Sequence, residues 1–182
     1  MDERIEIWDA SGTPTGRTAL KSEAHRQGWY HPTVHVWFYT ASGNILLQKR
    51  AEAKETFPGL WDVSVAGHIQ AGETPPQAAI RESREETGLA ITTGDLHFLG
   101  RFRSEHRHPG GLLDREFHHC YLAELHQPLP ALAPQASEVA ELRLKPLLQF
   151  AEEVCGLARP GKYVPHSRAY YAEVVKGIRS RL

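Results

Sequence analysis

The sequence is poor in cysteine and has no excess of charge of either sign. Its 182 residues include two cysteines, Cys120 and Cys155, which lie far apart, so neither a disulfide framework nor a zinc spacing is expected. The formal net charge is −1 and the pI about 6.8. This balance argues against a general binder of nucleic-acid polymers or of membrane surfaces.

Long apolar runs are missing as well. No stretch stays apolar over the roughly 20 residues that a helix needs to cross a bilayer. The acidic start MDERIEIWD is unlike a signal peptide, so a reducing, cytoplasmic setting is expected. Hydrophobic residues still make up 41% of the chain and charged residues 24%. That composition predicts a single globular domain over residues 1–182 with a substantial core.

Strands are predicted where β-branched and aromatic residues run together. The segment TVHVWFYT at 33–40 is expected to pair through a turn with a strand at 45–49. Both faces of this strand are expected to be covered, because Val34, Val36 and Phe38 alternate with His35, Trp37 and Tyr39. Further strands are expected at 5–8, 63–66, 96–103, 116–125 and 138–144, and helices at 75–87, 146–155 and 167–181. Residues 18–27 are interpreted as a short helix or an ordered loop.

The most informative stretch is 67–89, GHIQAGETPPQAAIRESREETGL. Thr74 suits a helix N-cap, Pro75 the first helical position and Gln77 the capping-box position. Gly88 suits a left-handed C-cap. A helix is therefore predicted from Pro75 to the residue before that glycine.

Three carboxylates share one face of this helix. Glu82, Glu85 and Glu86 are separated by three and four residues, which brings their Cβ atoms within roughly 5–6 Å of one another. A pair this close repels by about 3 kcal/mol at an effective dielectric of about 20, but by less than about 1 kcal/mol in open water. One interpretation is therefore a solvated acidic face. The other is a site for Mg²⁺ or Mn²⁺, because these ions prefer oxygen ligands.

Residues at fixed distances from the cluster favour the metal site. Read with gaps, the stretch is Gly67, five residues, Glu73, seven residues, Arg81-Glu82, two residues and Glu85-Glu86. This spacing resembles the Nudix box, the signature of hydrolases that cleave a diphosphate linked to another group. The resemblance implies the Nudix fold, an α/β/α sandwich with a mixed sheet between helices. It also implies a small-molecule diphosphate substrate and Mg²⁺ or Mn²⁺ as cofactor.

The same resemblance implies roles for the residues of the box. The expected direct metal ligands are Glu85 and Glu86, with Glu82 as a third ligand or the catalytic base and the Gly67 carbonyl as a further ligand. Arg81 is expected to orient the glutamates in the catalytic centre, with an ordinary intrahelical ion pair as the alternative. Glu73 is expected at the helix start, where it binds the substrate, holds a metal-bound water or assists structurally.

The flanking chain resembles the branch of Nudix proteins that contains isopentenyl-diphosphate isomerase. The resemblance rests on HRQGWYHPTVHVWFY, LLQKRAEAKETFPGLWDVSVAGHI and EFHHCYL and covers most of residues 4–125. Those isomerases hold a divalent metal with histidines and glutamates. Here His31, His68 and Glu116 occupy the matching places, while His25 is near but shifted by one residue. They are interpreted as a second metal site, as substrate contacts or as solvated polar residues, and Glu116 is the strongest extra metal ligand.

Basic and acidic residues outside the box add weaker candidates. Arg50 and Lys54 follow the second hairpin strand and are expected to bind phosphates, with surface solvation as an equal alternative. Glu138 and Glu141 lie where some Nudix enzymes carry a general base, but ordinary exposed carboxylates are the stronger interpretation.

The residue at one position favours hydrolysis over isomerisation. The resemblance places the catalytic cysteine of the isomerases just before Gly67, where this chain has Ala66. The box glutamates are complete, so the predicted function is Mg²⁺-dependent hydrolysis of a diphosphate linkage in a nucleoside diphosphate linked to a group X, or in a related organic pyrophosphate. An isomerase-like enzyme and a non-catalytic Nudix-fold ligand-binding module are the alternatives. The sequence carries no signal for the identity of X or for the oligomeric state, and a homodimer stays open.

Overall fold

A computed structural model of the protein describes residues 2–155 and 161–182. In chain order these residues form the strands and helices β1 (Arg4–Trp8), β2 (Pro14–Leu20), α1 (Lys21–Gln27), β3 (His31–Tyr39), β4 (Asn44–Arg50), β5 (Trp61–Asp62), β6 (Val65–His68), α2 (Pro75–Thr87), β7 (His97–Arg107), β8 (Leu113–Glu124), β9 (Val139–Pro146), α3 (Leu147–Cys155) and α4 (Arg168–Arg179). None of the helices in the described residues is long and apolar enough to cross a membrane.

A mixed sheet lies at the centre of the fold. Within the described residues it has seven strands, in the order β5-β4-β3-β8-β7, with β6 also paired to β3 and β9 to β4. Strands β3 and β8 run parallel, and the other pairs are antiparallel. Strands β1 and β2 form a separate antiparallel hairpin. This topology brings β3, β6 and β8 side by side, and these strands carry much of the site.

Helices cover both faces of the sheet. On one face Val34, Val36 and Phe38 of β3 pack in one hydrophobic cluster with Ala78 and Ala79 of α2. On the other face the alternate β3 residues pack in a second cluster with the side chains of α3 and α4. Every residue of β3 is buried, as the sequence predicted. Successive side chains of a strand point to opposite faces, and helices cover both faces here. The α/β/α sandwich is confirmed.

Helix α2 begins and ends where the sequence predicted. The Thr74 N–H donates to Gln77 Oε1 at 2.9 Å, and Gly88 adopts a left-handed φ of +77°. Ala79, Ser83 and Thr87 on its inner face are buried, whereas Ile80 is half-buried.

The structure differs from the prediction around the N-terminal hairpin. Residues 14–20 form strand β2, which the sequence did not predict, and the helix expected within residues 18–27 begins only at Lys21. The strand forms because β1 supplies a pairing edge, in a register that runs from Arg4 opposite Leu20 to Trp8 opposite Pro14. Such tertiary pairing overrides weak local propensity. The hairpin and helix α1 enclose a small core of their own, which contains Ile5, Ile7, Ala19 and Ala24.

Candidate active site

A cavity of about 510 Å³ lies where β3, β6 and β8 meet helices α1 and α2. Its lining includes the three box glutamates, Gly67, and histidines and carboxylates from the neighbouring strands. A cavity of this size suits a small organic molecule. Arg81 and Glu73 are absent from the lining among the described residues.

The Glu82 carboxylate packs directly against Gly67 in the wall of the cavity. A Cβ atom built on Gly67 would lie 2.0 Å from Glu82 Cδ and 2.2 Å from its Oε1. Only glycine therefore leaves room for this carboxylate beside strand β6. The sequence predicted that the Gly67 carbonyl binds the cation. The structure adds a second role, because the missing Cβ leaves space for the Glu82 side chain.

The box carboxylates differ in burial. Glu82 and Glu86 are buried, with 7% and 4% of their surface exposed, whereas the Glu85 side chain is 51% exposed. A uniformly solvated acidic face is therefore the wrong interpretation for Glu82 and Glu86. Burial raises the pKa of Glu82 to about 7, against the opposing effect of Arg81. Burial, together with the charge of Glu82, raises the pKa of Glu86 to about 8.

Glu86 is held by groups of two strands. Its Oε2 accepts hydrogen bonds from Gln48 Nε2 and from the backbone N–H of Ala66, both at 3.0 Å. These donors fix the direction of the carboxylate, but they only partly offset the effect of burial on its pKa. A divalent cation is the kind of group that would keep both buried glutamates ionised at neutral pH. The donor set therefore fits Mg²⁺ or Mn²⁺.

Arg81 connects the box residues to one another. Its guanidinium donates two parallel hydrogen bonds to Glu73, at 3.0 and 2.9 Å, and a third to the His68 carbonyl at 2.9 Å. It also donates to Glu82 Oε1 at 2.7 Å and to Glu85 Oε2 at 3.2 Å. Such a fork restrains several carboxylates at once. Glu73, predicted beside the substrate, has both carboxylate oxygens engaged by Arg81, and its contact with substrate stays a prediction.

A second cluster of potential ligands adjoins the same cavity, whose lining includes three of its four residues. His25, His31, His68 and Glu116 each offer one ligand atom, and these atoms all lie within 4.8 Å of one another. Nε2 of His31 and Nε2 of His68 both lie 3.6 Å from Glu116 Oε1. The cluster joins α1, β3, β6 and β8, and the parallel register places His31 directly opposite Glu116. His25, which the sequence placed out of position by one residue, belongs to this cluster.

The charges in this cluster are suited to cation binding. Burial, followed by repulsion from His31, lowers the pKa of His25 to about 4, and burial holds the pKa of His68 well below its usual value. Burial alone would raise the pKa of Glu116, but the hydrogen bond from His31 and the neighbouring imidazoles bring it well below its usual value. Neutral imidazoles and an ionised carboxylate are the forms that bind metals. His31 differs, because the hydrogen bond and the charge of Glu116 outweigh burial and raise its pKa, so a cation would have to displace the proton of this imidazole.

Asp114 is a neighbour of the cluster that the sequence did not suggest. Its Oδ1 lies 3.7 Å from His25 Nε2. Both Asp114 Oδ1 and His68 Nε2 are buried without a hydrogen-bond partner among the described residues. Burial, reinforced by the charge of Glu116, raises the pKa of Asp114 to about 8. The sequence did contain a signal for Asp114: it lies two residues before Glu116 and therefore on the same face of β8.

The basic candidates differ in what they already bind. Arg50 is 9% exposed, and its guanidinium donates to Asp62, to the Thr56 carbonyl and to Thr56 Oγ1. Lys54 lines the cavity and pairs with Glu138. Lys54 is thus the more available phosphate contact, and both assignments stay predictions. Glu141 pairs with Arg143 at 2.6 Å on the surface.

Comparison with known proteins agrees with this geometry. The NUDIX domain model matches residues 29–168. The chain is 32% identical to Nudix hydrolase 3 of Arabidopsis thaliana over 99% of its own length, but it spans 24% of that protein's length. It is 34% identical to isopentenyl-diphosphate Delta-isomerase of Cereibacter sphaeroides, over 100% of this chain and 98% of the relative. The solved structure of DR0079 from Deinococcus radiodurans superposes with a TM-score of 0.70 at 21% identity, covering 96% of this chain and 98% of the other.

A box helix that supplies glutamates to a cavity in an α/β/α sandwich is the architecture of enzymes that act on small-molecule diphosphates. The chain belongs to the Nudix family. It is a Nudix hydrolase, and isopentenyl-diphosphate isomerases are among its relatives.

Proposed function

We propose that the protein hydrolyses a diphosphate linkage in a nucleoside diphosphate linked to a group X, or in a related organic pyrophosphate, with Mg²⁺ or Mn²⁺ as cofactor. The observation that carries the proposal is the burial of Glu82 and Glu86 in one cavity, with their pKa values raised to about 7 and about 8. Two buried carboxylates are unfavourable while both are ionised, so they take up either protons or a cation. A module without turnover has no need of them.

Each box residue takes a distinct role in this proposal. Glu82, Glu85, Glu86 and the Gly67 carbonyl would hold the cation, which when bound neutralises phosphoryl oxygens and makes water more acidic. Arg81 is a positioning residue, because its guanidinium ties Glu82 and Glu85 to Glu73. Glu82 is the alternative general base, because its carboxylate lines the cavity beside the proposed cation ligands. Lys54 would contact the phosphates.

The cluster of His25, His31, His68 and Glu116 is the proposed second cation position. Three imidazoles and one carboxylate favour a transition-metal ion such as Mn²⁺ over Mg²⁺. In this arrangement Glu116 would be the charged ligand and the histidines the neutral ones. The two positions share one cavity, so both cations would face the same diphosphate.

A substrate panel tests the proposed hydrolysis. The panel holds ADP-ribose, NADH, dinucleoside polyphosphates, thiamine diphosphate and nucleotide sugars, each with Mg²⁺ or Mn²⁺. Mass spectrometry identifies the products and, in ¹⁸O-labelled water, the P–O bond that breaks.

We expect Glu85→Gln to abolish turnover of the active substrate without changing the circular dichroism spectrum. Glu173→Gln on α4 is the matched control, because Glu173 is exposed, pairs with Lys176 at 3.9 Å and is absent from the cavity lining in the described residues. Absence of turnover across the panel with every divalent metal would support the ligand-binding module instead.

Isomerisation is the second candidate function. The histidine–glutamate cluster and the identity with isomerases favour it. Ala66 opposes it, because it leaves no thiol at the position before Gly67, and the burial of Cys120 raises that thiol's pKa. Proton NMR of isopentenyl diphosphate incubated with the enzyme distinguishes isomerisation from hydrolysis. The appearance of dimethylallyl diphosphate would establish the isomerase.

A further inference from the structure

The cavity contains a histidine–carboxylate pair that lies outside both sets of proposed cation ligands. It consists of His166 and Asp62, which together we call the dyad. His166 Nε2 lies 3.1 Å from Asp62 Oδ1, and the two side chains are 6% and 4% exposed. His166 precedes α4 and Asp62 ends β5, so the dyad joins residues 104 positions apart in the chain. Both residues line the cavity.

The Asp62 carboxylate is fixed by three donors. Its Oδ2 accepts from Arg50 Nη1 at 3.1 Å, and its Oδ1 accepts from the Val63 backbone N–H at 2.8 Å as well as from His166. Burial alone would raise the pKa of Asp62, but the hydrogen bond and the charge of His166, followed by the charge of Arg50, bring it well below its usual value. Because an ionised carboxylate only accepts hydrogen bonds, Nε2 of His166 carries a proton.

The other ring nitrogen of His166 is an acceptor that faces the cavity. A neutral imidazole with its proton on Nε2 has a lone pair on Nδ1. Among residues 2–155 and 161–182, Nδ1 of His166 has no hydrogen-bond partner. The fully buried, unpartnered side-chain atoms of these residues do not include it, so solvent reaches Nδ1 from the cavity. A water molecule in the cavity can therefore donate to this nitrogen.

Strand pairing places the dyad beside Glu86, one of the proposed cation ligands. One donor to the Glu86 carboxylate is Gln48, which pairs in register with Asp62 of the dyad. The other donor is the Ala66 N–H, and Ala66 pairs in register with His35. The His35 ring centroid lies 5.3 Å from that of the dyad imidazole. Each donor to Glu86 is thus one strand pairing away from the dyad or from a residue that contacts it.

The carboxylate candidates for a general base already have partners. Glu82 Oε1 accepts from Arg81 at 2.7 Å, and the remaining lone pairs of Glu82 would bind the proposed cation. Glu138 pairs with Lys54. A lone pair that binds a cation is not available to a proton, whereas Nδ1 of His166 has no such partner in the described part of the chain.

We propose that His166, oriented by Asp62, is the general base that takes a proton from the attacking water. In this step one proton of the water moves to His166 Nδ1, the water oxygen forms a bond to phosphorus, and the bond from that phosphorus to the bridging oxygen breaks. The electron pair of the broken bond stays on the bridging oxygen, which leaves with the other phosphate. His166 then returns the proton to solvent. This role rests on the proposed function and adds a catalytic residue to it, with Asp62 as a positioning residue.

Removal and chemical replacement of the imidazole test this role. His166→Ala should lower kcat for the panel substrate at least about 100-fold, since a general base contributes roughly 10²- to 10⁴-fold. Added imidazole should raise the kcat of this variant at least about tenfold. In a series of substituted imidazoles the restored rate should rise with the basicity of the compound. A side chain with only a structural role would not produce that dependence.

Two controls accompany the rescue experiment. His106→Ala is the matched variant, because it removes another imidazole from the lining of the same cavity. Its kcat should not respond to added imidazole. The affinity for Mn²⁺, measured by equilibrium dialysis, should be the same in His166→Ala and in the wild type, because neither residue of the dyad is a proposed cation ligand.

The tautomer of His166 is measurable without any substrate. Long-range ¹H–¹⁵N spectra distinguish the two ring nitrogens of a histidine, and His166→Gln identifies the signals of this residue. We expect the neutral ring of the wild type to carry its proton on Nε2. Asp62→Asn should move part of this proton to Nδ1 and lower kcat, because an amide is able to donate to Nε2.

The outcomes separate this inference from the proposed function. If the wild type hydrolyses a panel substrate and His166→Ala keeps kcat within about threefold of it, the inference is wrong and hydrolysis stands. A loss that no imidazole restores, or a proton on Nδ1 in the neutral wild-type ring, would overturn the inference as well. Failure of the wild type to hydrolyse any panel member would contradict the proposed function itself and this inference with it.

Discussion

The Glu82 carboxylate lies in the space that a Cβ atom of residue 67 would occupy, 2.0 Å from the ideal Cβ position of Gly67. A box residue in strand β6 and a box residue in helix α2 thus depend on each other sterically. The glycine has no positive φ, so the constraint comes from space and not from backbone conformation.

Gly67→Ala is expected to displace the Glu82 carboxylate. We expect kcat/KM for the substrate identified in the panel to fall at least about tenfold and the free energy of unfolding to fall by about 1–3 kcal/mol, as for other overpacked sites. Steady-state kinetics and urea denaturation measure the two effects. Gly94→Ala is the control, because its nearest neighbour is at an ordinary 3.5 Å. If the clash is the cause, Gly67→Ala should destabilise a Glu82→Ala protein much less than the wild type.

Arg81→Lys tests the positioning role of the guanidinium. Lysine keeps the charge but cannot donate two parallel hydrogen bonds to Glu73 while also reaching Glu82. We expect kcat to fall about 10- to 100-fold with a smaller change in KM, because the geometry of the glutamates is disturbed and the substrate contacts are not. Arg84→Lys, an exposed position on the same helix, is the control. A change in KM alone would instead indicate that Arg81 binds substrate.

His68→Ala tests the second cation position. Removal of one imidazole from the four-residue cluster should weaken binding of Mn²⁺ at least about tenfold, which equilibrium dialysis with elemental analysis measures directly. His126→Ala is the control, because the His126 side chain is 69% exposed and lies outside the cavity lining in the described residues. Equal Mn²⁺ affinity in the His68 variant and the wild type would contradict a cation at this cluster.

Glu153 is expected to make stability depend on acid pH. Burial opposes its ionisation, but hydrogen bonds from Lys162, Tyr163 and Lys145 lower its pKa from 4.5 to about 2. A carboxyl with a lowered folded-state pKa stabilises the fold fully above its unfolded pKa and loses that contribution as pH falls toward the folded value. Glu153→Gln should therefore lower stability by about 1–2 kcal/mol at pH 7.

The measurement for Glu153 is the Tm at several pH values. The difference in Tm between the wild type and Glu153→Gln should be constant above about pH 5 and should shrink between pH 4.5 and 2. The exposed neighbour Glu152 supplies the control Glu152→Gln, for which we expect less than about 0.5 kcal/mol. A pH-independent difference would show that lost packing, and not the charge, explains the effect.

Local sequence signals predicted a large part of the fold. Helix α2 was predicted to the residue, because its cap, first-turn proline and terminal glycine all act within a few positions. Strand β3 was predicted from its composition, and its buried faces from alternation. Strand β2 was missed, because residues 14–20 form a strand only through pairing with β1.

For the candidate site, the sequence by itself determined the box: which residues share one face of a helix, and how far they lie from Gly67. Only the tertiary structure decided which of these carboxylates are buried, that His25 joins His31, His68 and Glu116, and that Arg81 ties Glu73 to Glu82. The physical reason is the sequence separation over which each interaction acts. Helix periodicity relates residues that are a few positions apart, whereas burial, and with it the pKa of Glu82 and Glu86, depends on how β3, β6 and β8 pair and how α2 packs on them.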